Sequence, residues 1–272
     1  MLELKDLQQK ELELLILFRD ICDKNQLTYY ISGGTYLGAI RHKGFIPWDD
    51  DIDVAMPRTD YDKFVEIASK EFIGSKQFWH YSSISESKRP NSRLVDLSVK
   101  IVNNSWKVPR QEPVWIDIFP LDGLPKSSVK ANFHKMKLLF LKVMVGFANY
   151  ENVQDNKKDR PLHEKMLLKV NSIFSIGKYL NLNHQYDILE DALRKYSDES
   201  SEVYFNFHGA YRFNSIFNKK NIYAEGTILE FEGNYFNAPK NYDDYLKQIY
   251  GDYMQLPPEH MRNKHNTEII KE

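Results

Sequence analysis

Between Trp48 and Met56 the chain reads WDDDIDVAM, and few folds accept that run. Side chains on a strand alternate between faces with a period of two. A strand through this segment puts Asp51 and Asp53 on one face and turns Ile52 and Val54 the other way, toward a core. Buried hydrophobes fix the register, so the two carboxylates are presented together. Like charges one repeat apart repel, and without compensation at least one must hold its proton to higher pH. A hard divalent cation removes the conflict. Magnesium takes oxygen ligands and is typically held by one or two carboxylates together with substrate phosphates. The same aspartates also suit an acidic surface loop that solubilises a turn. A calcium EF-hand fits worse: with Asp49, Asp51 and Asp53 at its first three odd positions, its glycine falls on Val54 and its bidentate glutamate on Asp60.

Upstream sits Ile31-Ser32-Gly33-Gly34-Thr35, a turn between a short β-prone run, Thr28 to Ile31, and a short helix, Thr35 to Lys43. Glycines let a backbone approach a phosphate closely, and a helix N-terminus offers free N–H groups and the positive end of a dipole. Ser32 and Thr35 add hydroxyls. A lone Gly-Gly is equally an ordinary tight turn. The order strand, Gly-Gly, helix, Asp-x-Asp says more, because it sets a phosphate cradle beside a metal site. Arg41, His42 and Lys43 lie between the two, placed either to neutralise an outgoing phosphate or simply as a basic helix C-terminus.

A third acid, Asp117, stands in VWIDIFP among large hydrophobes. A charge in such company is unfavourable unless paired or metal-bound. It reads as a strand-end cap, as a further metal ligand, or as the base that accepts a proton from an attacking hydroxyl.

The rest of the chain sets the frame. Residues 4–25 have helical apolar spacing, 48–56 read as a strand, and a helix capped by Thr59 or Asp60 runs to about Phe72. Strands are predicted at 77–82, 93–102 and 114–119, joined by an exposed connection at 85–92. Helical patterns fill 127–150 and 161–197, mixed structure returns from 202, and a last helix starts near Asn241 with Gly251 as its C-cap. This order predicts an α+β fold: a mixed sheet with flanking helices and an added helical region. One domain, 1–272, is expected, with its core in about 1–125 and 202–265 and a helical insertion at about 126–200.

Net charge is −1 with no block of like charge, so no nucleic-acid partner is expected. The single cysteine, Cys22, lies in an apolar helical pattern and reads as a small buried hydrophobe in an intracellular protein. The first residues carry early acids and no cleavage site, and the longest apolar run, Leu14 to Phe18, is too short to span a bilayer. A membrane contact would be peripheral.

Segment 32–58, SGGTYLGAIRHKGFIPWDDDIDVAMPR, resembles the LicD family of the nucleotidyltransferase superfamily, as do VWIDIFPLDGLP and NYDDYLKQIYGDYMQLPPEHMR. The resemblance implies a nucleotidyltransferase-type core. It implies transfer of phosphocholine, or a related phospho-alcohol, from a CDP-linked donor such as CDP-choline. The acceptor would be a hydroxyl of a cell-surface glycan, such as a teichoic acid or lipopolysaccharide precursor, and CMP would be released. Gly33 and Gly34 match the superfamily's glycine signature, Asp51 and Asp53 its metal-binding pair, and Asp117 its third acid, with Asp49 in reserve. The expected cofactor is magnesium, or manganese in its place. The expected setting is the cytoplasm, at the inner membrane surface, with a lipid-linked glycan as acceptor.

The same glycine and acid pair also serve a nucleotidyltransferase that moves NMP from an NTP, and a non-catalytic scaffold would keep the fold. A metal-dependent glycosyltransferase shares the Asp-x-Asp but not the Gly-Gly turn. Trp48, Trp106, Trp115, Tyr204 and Tyr211 have the faces to bind a quaternary ammonium, yet aromatics more often fill cores. Arg262, Lys264 and His265 read as a solvated tail or as groups that reach donor phosphates, and His208-Gly209 as a strand-like run approaching substrate or as a plain loop.

Overall fold

The structure is a computed structural model that describes residues 4–72, 74–83, 89–103, 109–150, 162–197, 200–259, 262 and 267–269. Trp106, Lys264 and His265, residues 85–88 of the 85–92 connection and the polar stretch after Tyr150 lie outside the described residues.

The first helix, α1 (Leu4–Lys24), buries Leu7, Leu14, Leu15, Phe18 and Cys22 along one face. Cys22 is fully buried, as its neighbours predicted. The central sheet has six strands: β1 (Tyr30–Ile31), β2 (Asp53–Pro57), β3 (Lys76–Trp79), β4 (Ser92–Asn103), β5 (Arg110–Leu121) and β10 (Thr267–Ile269). Their order is β1-β2-β5-β4, and the far side of β4 takes β3 along its first half and β10 along its second. Only β2 and β5 run parallel; the other pairings are antiparallel. The α+β mixed sheet is therefore what the sequence led one to expect.

Several boundaries move. The predicted strand 48–56 shrinks to Asp53–Pro57, because Pro47 and Trp48 make a turn, closed by Asp49 N–H to Ile46 C=O at 2.9 Å. Asp51 thus lies in the lead-in to the strand. Helix α2 (Gly33–His42) begins at the glycines themselves, with Ser32 as N-cap. Neither Thr59 nor Asp60 caps α3 (Arg58–Glu71), which starts straight after Pro57; Asp60 Oδ2 instead accepts the Thr28 N–H at 3.1 Å.

The 127–150 helix is α4 (Ser128–Ala148), capped by the Ser127 hydroxyl. The single helical region predicted for 161–197 is three pieces: α5 (Leu162–Phe174), a 3-10 turn (Ile176–Tyr179) and α6 (Leu182–Arg194). Ser175 adopts a left-handed conformation (φ 51°) and breaks the first from the second, while Asn181 caps the third. After 200 come the short strands β6 (Val203–Tyr204) and β7 (Phe217–Asn218), the hairpin β8 (Thr227–Phe231) and β9 (Asn234–Ala238), then α7 (Tyr242–Tyr250) with Asn241 and Gly251 as its caps.

Two apolar clusters result. The larger joins α1, the sheet, the β8–β9 hairpin and α7. The smaller joins α4, α6, Phe205 and Phe207. A buried ionic clasp links them. Arg58, 2% exposed, donates from Nε and Nη2 to Asp122 (2.7 and 2.9 Å) and from Nη1 to Glu190 on α6 (2.6 Å). His208 Nε2 lies 2.7 Å from the other Glu190 oxygen, so this residue sits in a bend and serves the clasp. Burial alone would raise the Glu190 carboxyl. Arg58, then His208 and Arg194, pull it well below the usual range.

Candidate active site

The site forms where the β2–β5 pairing begins, beside the start of α2. In the parallel ladder Asp53 and Asp117 are register partners, and the Asp117 N–H donates to the Ile52 carbonyl at 2.9 Å. The Ser32-Gly33-Gly34-Thr35 segment grips the main chain of Asp53 from the other side. The Ser32 N–H donates to its carbonyl (3.0 Å), and its N–H donates to Thr35 Oγ1 (2.9 Å).

The glycines are needed for room. A Cβ at Gly33, which has φ +56°, would stand 2.9 Å from Asp53 Oδ2, and one at Gly34 would stand 2.7 Å from Asp49 Oδ2. The carboxylates of Asp49 and Asp53 therefore lie against a bare helix start. The Gly33 N–H faces the Tyr245 hydroxyl of α7 at 3.4 Å.

Asp53 titrates well above the ordinary carboxylate range. Loss of hydration is the first cause, followed by the charges of Asp51, Asp117 and Asp49, with Arg93 opposing. Asp49, the reserve ligand, has its main-chain carbonyl held by Gln8 of α1 (Nε2 to O, 2.8 Å). One turn on, Glu11 is 2% exposed, and its Oε2 has no hydrogen-bond partner among the described residues. Burial, then Asp51, Asp50, Asp49 and Asp117, push Glu11 well up as well.

Asp117 is held differently. Its Oδ1 accepts from Arg93 Nε at 2.8 Å and Asn91 Nδ2 at 2.5 Å, and its Oδ2 accepts from Trp115 Nε1 at 3.1 Å. The Arg93 guanidinium lies 4.0 Å from the centre of the Trp115 ring. Trp115 thus supports the acid and stacks on an arginine. Arg89 approaches the same group, its guanidinium pushed down to about 10 by burial and then by Arg93.

The basic residues between the two motifs separate. Arg41 Nη1 donates to the Tyr253 carbonyl at 2.9 Å; burial lowers its pKa, against the pull of Tyr250 and Asp49. Lys43, 75% exposed, pairs with Glu230 of the β8–β9 hairpin at 3.4 Å. Arg262 packs its guanidinium 4.6 Å from the ring centre of Trp48, so it is docked on the acidic segment's first residue. Sequence reasoning missed Glu11, Asn91, Arg89, Arg93 and Tyr245. Arg93 opened a predicted strand, and its register opposite Asp117 was the signal that could have found it.

Among the described residues, no three acids, histidines or cysteines converge as a ready metal cage. Crowded carboxylates with raised affinity for protons, beside an open helix start, fit a cation held by one or two of them and completed by phosphate oxygens. They do not make an all-protein site.

A family model described as LicD/FKTN/FKRP, nucleotidyltransferase domain, matches residues 26–167. The chain is 30% identical over 273 residues to the lipopolysaccharide cholinephosphotransferase LicD of Haemophilus influenzae, covering 98% of this chain and 97% of that one. It is also 41% identical over 63 residues to an uncharacterized protein of Rickettsia typhi (22% of this chain, 20% of that one). An uncharacterized protein of Rickettsia prowazekii is 44% identical over 55 residues (19% and 21%).

Proposed function

The chain belongs to the LicD family, and from that premise we propose that it transfers phosphocholine, or a related phospho-alcohol, from a CDP-linked donor to a hydroxyl of a cell-surface glycan precursor, releasing CMP. The end-to-end similarity to a lipopolysaccharide cholinephosphotransferase supports the transferred group and the glycan acceptor. The observation that carries the chemistry is Asp53 in register beside Asp117, under the glycine start of α2.

We read the core as nucleotidyltransferase-type, within one catalytic domain whose 126–200 segment is a helical insertion. The protein works in the cytoplasm, at the inner membrane surface where lipid-linked acceptors are presented.

Asp51 and Asp53 are the residues to hold magnesium, or manganese in its place, with Asp117 as third acid. Bound there, the ion supplies charge stabilisation for the donor diphosphate. The start of α2 offers the Gly34 and Thr35 N–H groups and a positive dipole end to the phosphates; the N–H groups of Ser32 and Gly33 are engaged by the Asp53 carbonyl and the Tyr245 hydroxyl. Arg41 and Lys43 add positive charge on the donor side, and Arg89 and Arg93 add it beside Asp117. Asp117, oriented by Arg93, Asn91 and Trp115, accepts the proton of the attacking hydroxyl. Positioning and electrostatics then supply most of the rate, as in phosphoryl transfer generally.

The test is a thermal shift with magnesium across CDP-choline, CDP-ribitol, CTP and a UDP-sugar. A ligand at about a hundred times its dissociation constant stabilises by about 2.7 kcal/mol, a rise of roughly 5–10 °C for a chain this size. A CDP-alcohol shift that disappears in Asp51→Asn is the expected result. A shift with CTP alone would replace this reading with nucleotidyl transfer, and a UDP-sugar shift with glycosyl transfer.

A further inference from the structure

Helices α4 and α5 carry an apolar surface that the fold leaves uncovered. Eleven of the eighteen large hydrophobic side chains exposed among the described residues fall between Val129 and Tyr179. On α4, Val129, Phe133, Met136 and Phe140 recur at helical spacing and are 62–69% exposed. They stand opposite His134, Leu138, Leu141 and Val145, which pack into the second cluster. On α5, Leu162, Met166 and Ile173 are 63–75% exposed, on the side away from buried Asn171. The two helices touch, and each carries an exposed apolar stripe. A patch of this kind on a soluble surface marks an interaction site.

Charge identifies the partner. Helix α4 contains no aspartate or glutamate, and α5 contains one, Glu164. Lys130, Lys137, Lys165, Lys169 and Lys178 are all exposed around the apolar stripes. Apolar face plus lysine rim is the pattern of a helix that lies in a membrane interface, its stripe sunk about 5–10 Å and its cations among anionic headgroups. A second copy of the chain suits the patch less well. A two-fold contact is self-complementary, and it would set this lysine rim against its own equivalent. No described helix is long and apolar enough to cross a membrane.

We propose that α4 and α5 form a peripheral docking surface for an anionic phospholipid bilayer, with Phe133 and Phe140 as the principal inserted side chains and the lysines as its electrostatic rim. This gives the membrane placement proposed above a physical site. It does not depend on the donor chemistry, and it is tested without donor or acceptor.

The experiment is co-sedimentation of the full chain with phosphatidylglycerol-containing vesicles, against pure phosphatidylcholine vesicles. Phe133→Ser/Phe140→Ser and Lys130→Glu/Lys137→Glu double variants serve as probes, with size-exclusion light scattering on each. The wild type should bind the anionic vesicles and be released by salt. Each double variant should lose at least tenfold in affinity while keeping the wild-type melting temperature and donor-induced shift. Three results would overturn the proposal: no wild-type binding at low salt, unchanged binding by the phenylalanine variant, or a dimer that the phenylalanine variant dissociates. A failed donor screen with intact vesicle binding would sink the proposed reaction and leave the docking surface standing.

Discussion

Arg93 and Asp117 face each other across the β4–β5 ladder, the guanidinium Nε 2.8 Å from the carboxylate and its plane against Trp115. The arginine therefore does two jobs that a lysine cannot combine, a fixed hydrogen-bond fork and an aromatic stack. Arg93→Lys should keep the net charge but lose the orientation of Asp117. A misplacement of about 1 Å costs on the order of a hundredfold in rate, so we expect CMP release to fall by roughly tenfold to a hundredfold. The melting shift with donor should persist. Wild-type turnover in Arg93→Lys would remove Asp117 from the chemistry.

Two glycines of α2 should respond in opposite ways. Alanine inside a helix is favoured over glycine by about 1 kcal/mol. At Gly38 that gain is overwhelmed, since a Cβ would stand 2.4 Å from the Gly44 carbonyl oxygen, a backbone atom that cannot swing away. Gly38→Ala should lower stability by about 1–3 kcal/mol, the usual toll of overpacking, seen as a lower melting temperature. At Gly34 the obstacle is the tip of Asp49, which can move. Gly34→Ala should melt close to wild type, yet lose donor binding at least tenfold by titration, because the carboxylate is displaced from the helix start.

Glu11 should be more useful to the fold as an amide. Its raised folded pKa, from burial and then the neighbouring acids, means that the native state keeps a proton the unfolded chain has released. Stability therefore falls as pH rises above the unfolded value of about 4.3. Glu11→Gln removes that loss and should raise stability at pH 7, with the gain shrinking toward pH 4. Denaturant melts without divalent ions, at the two pH values, check the sign.

His80 works from the acid side. It is 4% exposed, its Nε2 has no hydrogen-bond partner among the described residues, and burial brings its pKa down to about 4. Below about 6.5 the unfolded chain takes up a proton that the native protein refuses, so stability declines from there to about pH 4. The total is about 3 kcal/mol at 1.36 kcal/mol per unit. His80→Phe should flatten that limb of the stability profile. An unchanged slope between pH 6.5 and 4 would show that other groups govern acid lability.

The strand position of Asp53 and the glycines beside it were legible because they are local. Period-two alternation and a glycine pair ahead of a helix can be seen in a few residues. The true strand start was not, because the Pro47-Trp48 turn overrides the alternation through Asp51. The division of 161–197 was hidden by a left-handed serine, Ser175, a residue that advertises no break. Glu11, Arg93 and Tyr245 reach the acids only through folding. Tyr245 meets Gly33 across 212 positions, and no window of sequence holds both. Asp117 was found by its unfavourable neighbours, and its partners were not, since an arginine opening a strand looks like any other.

Arg58 leaves a consequence for how the chain is made. Its buried guanidinium needs Asp122 and Glu190, 64 and 132 positions further on, while Tyr36 and Gly33 wait for Pro239 and Tyr245. A ribosome that has delivered the whole acidic motif has still delivered none of these partners. The nascent N-terminal portion must therefore stay unfinished, its buried arginine short of one carboxylate, until α6 and then α7 emerge. Premature release near residue 180 should give a product that cannot close its own site, however complete its motif looks on paper.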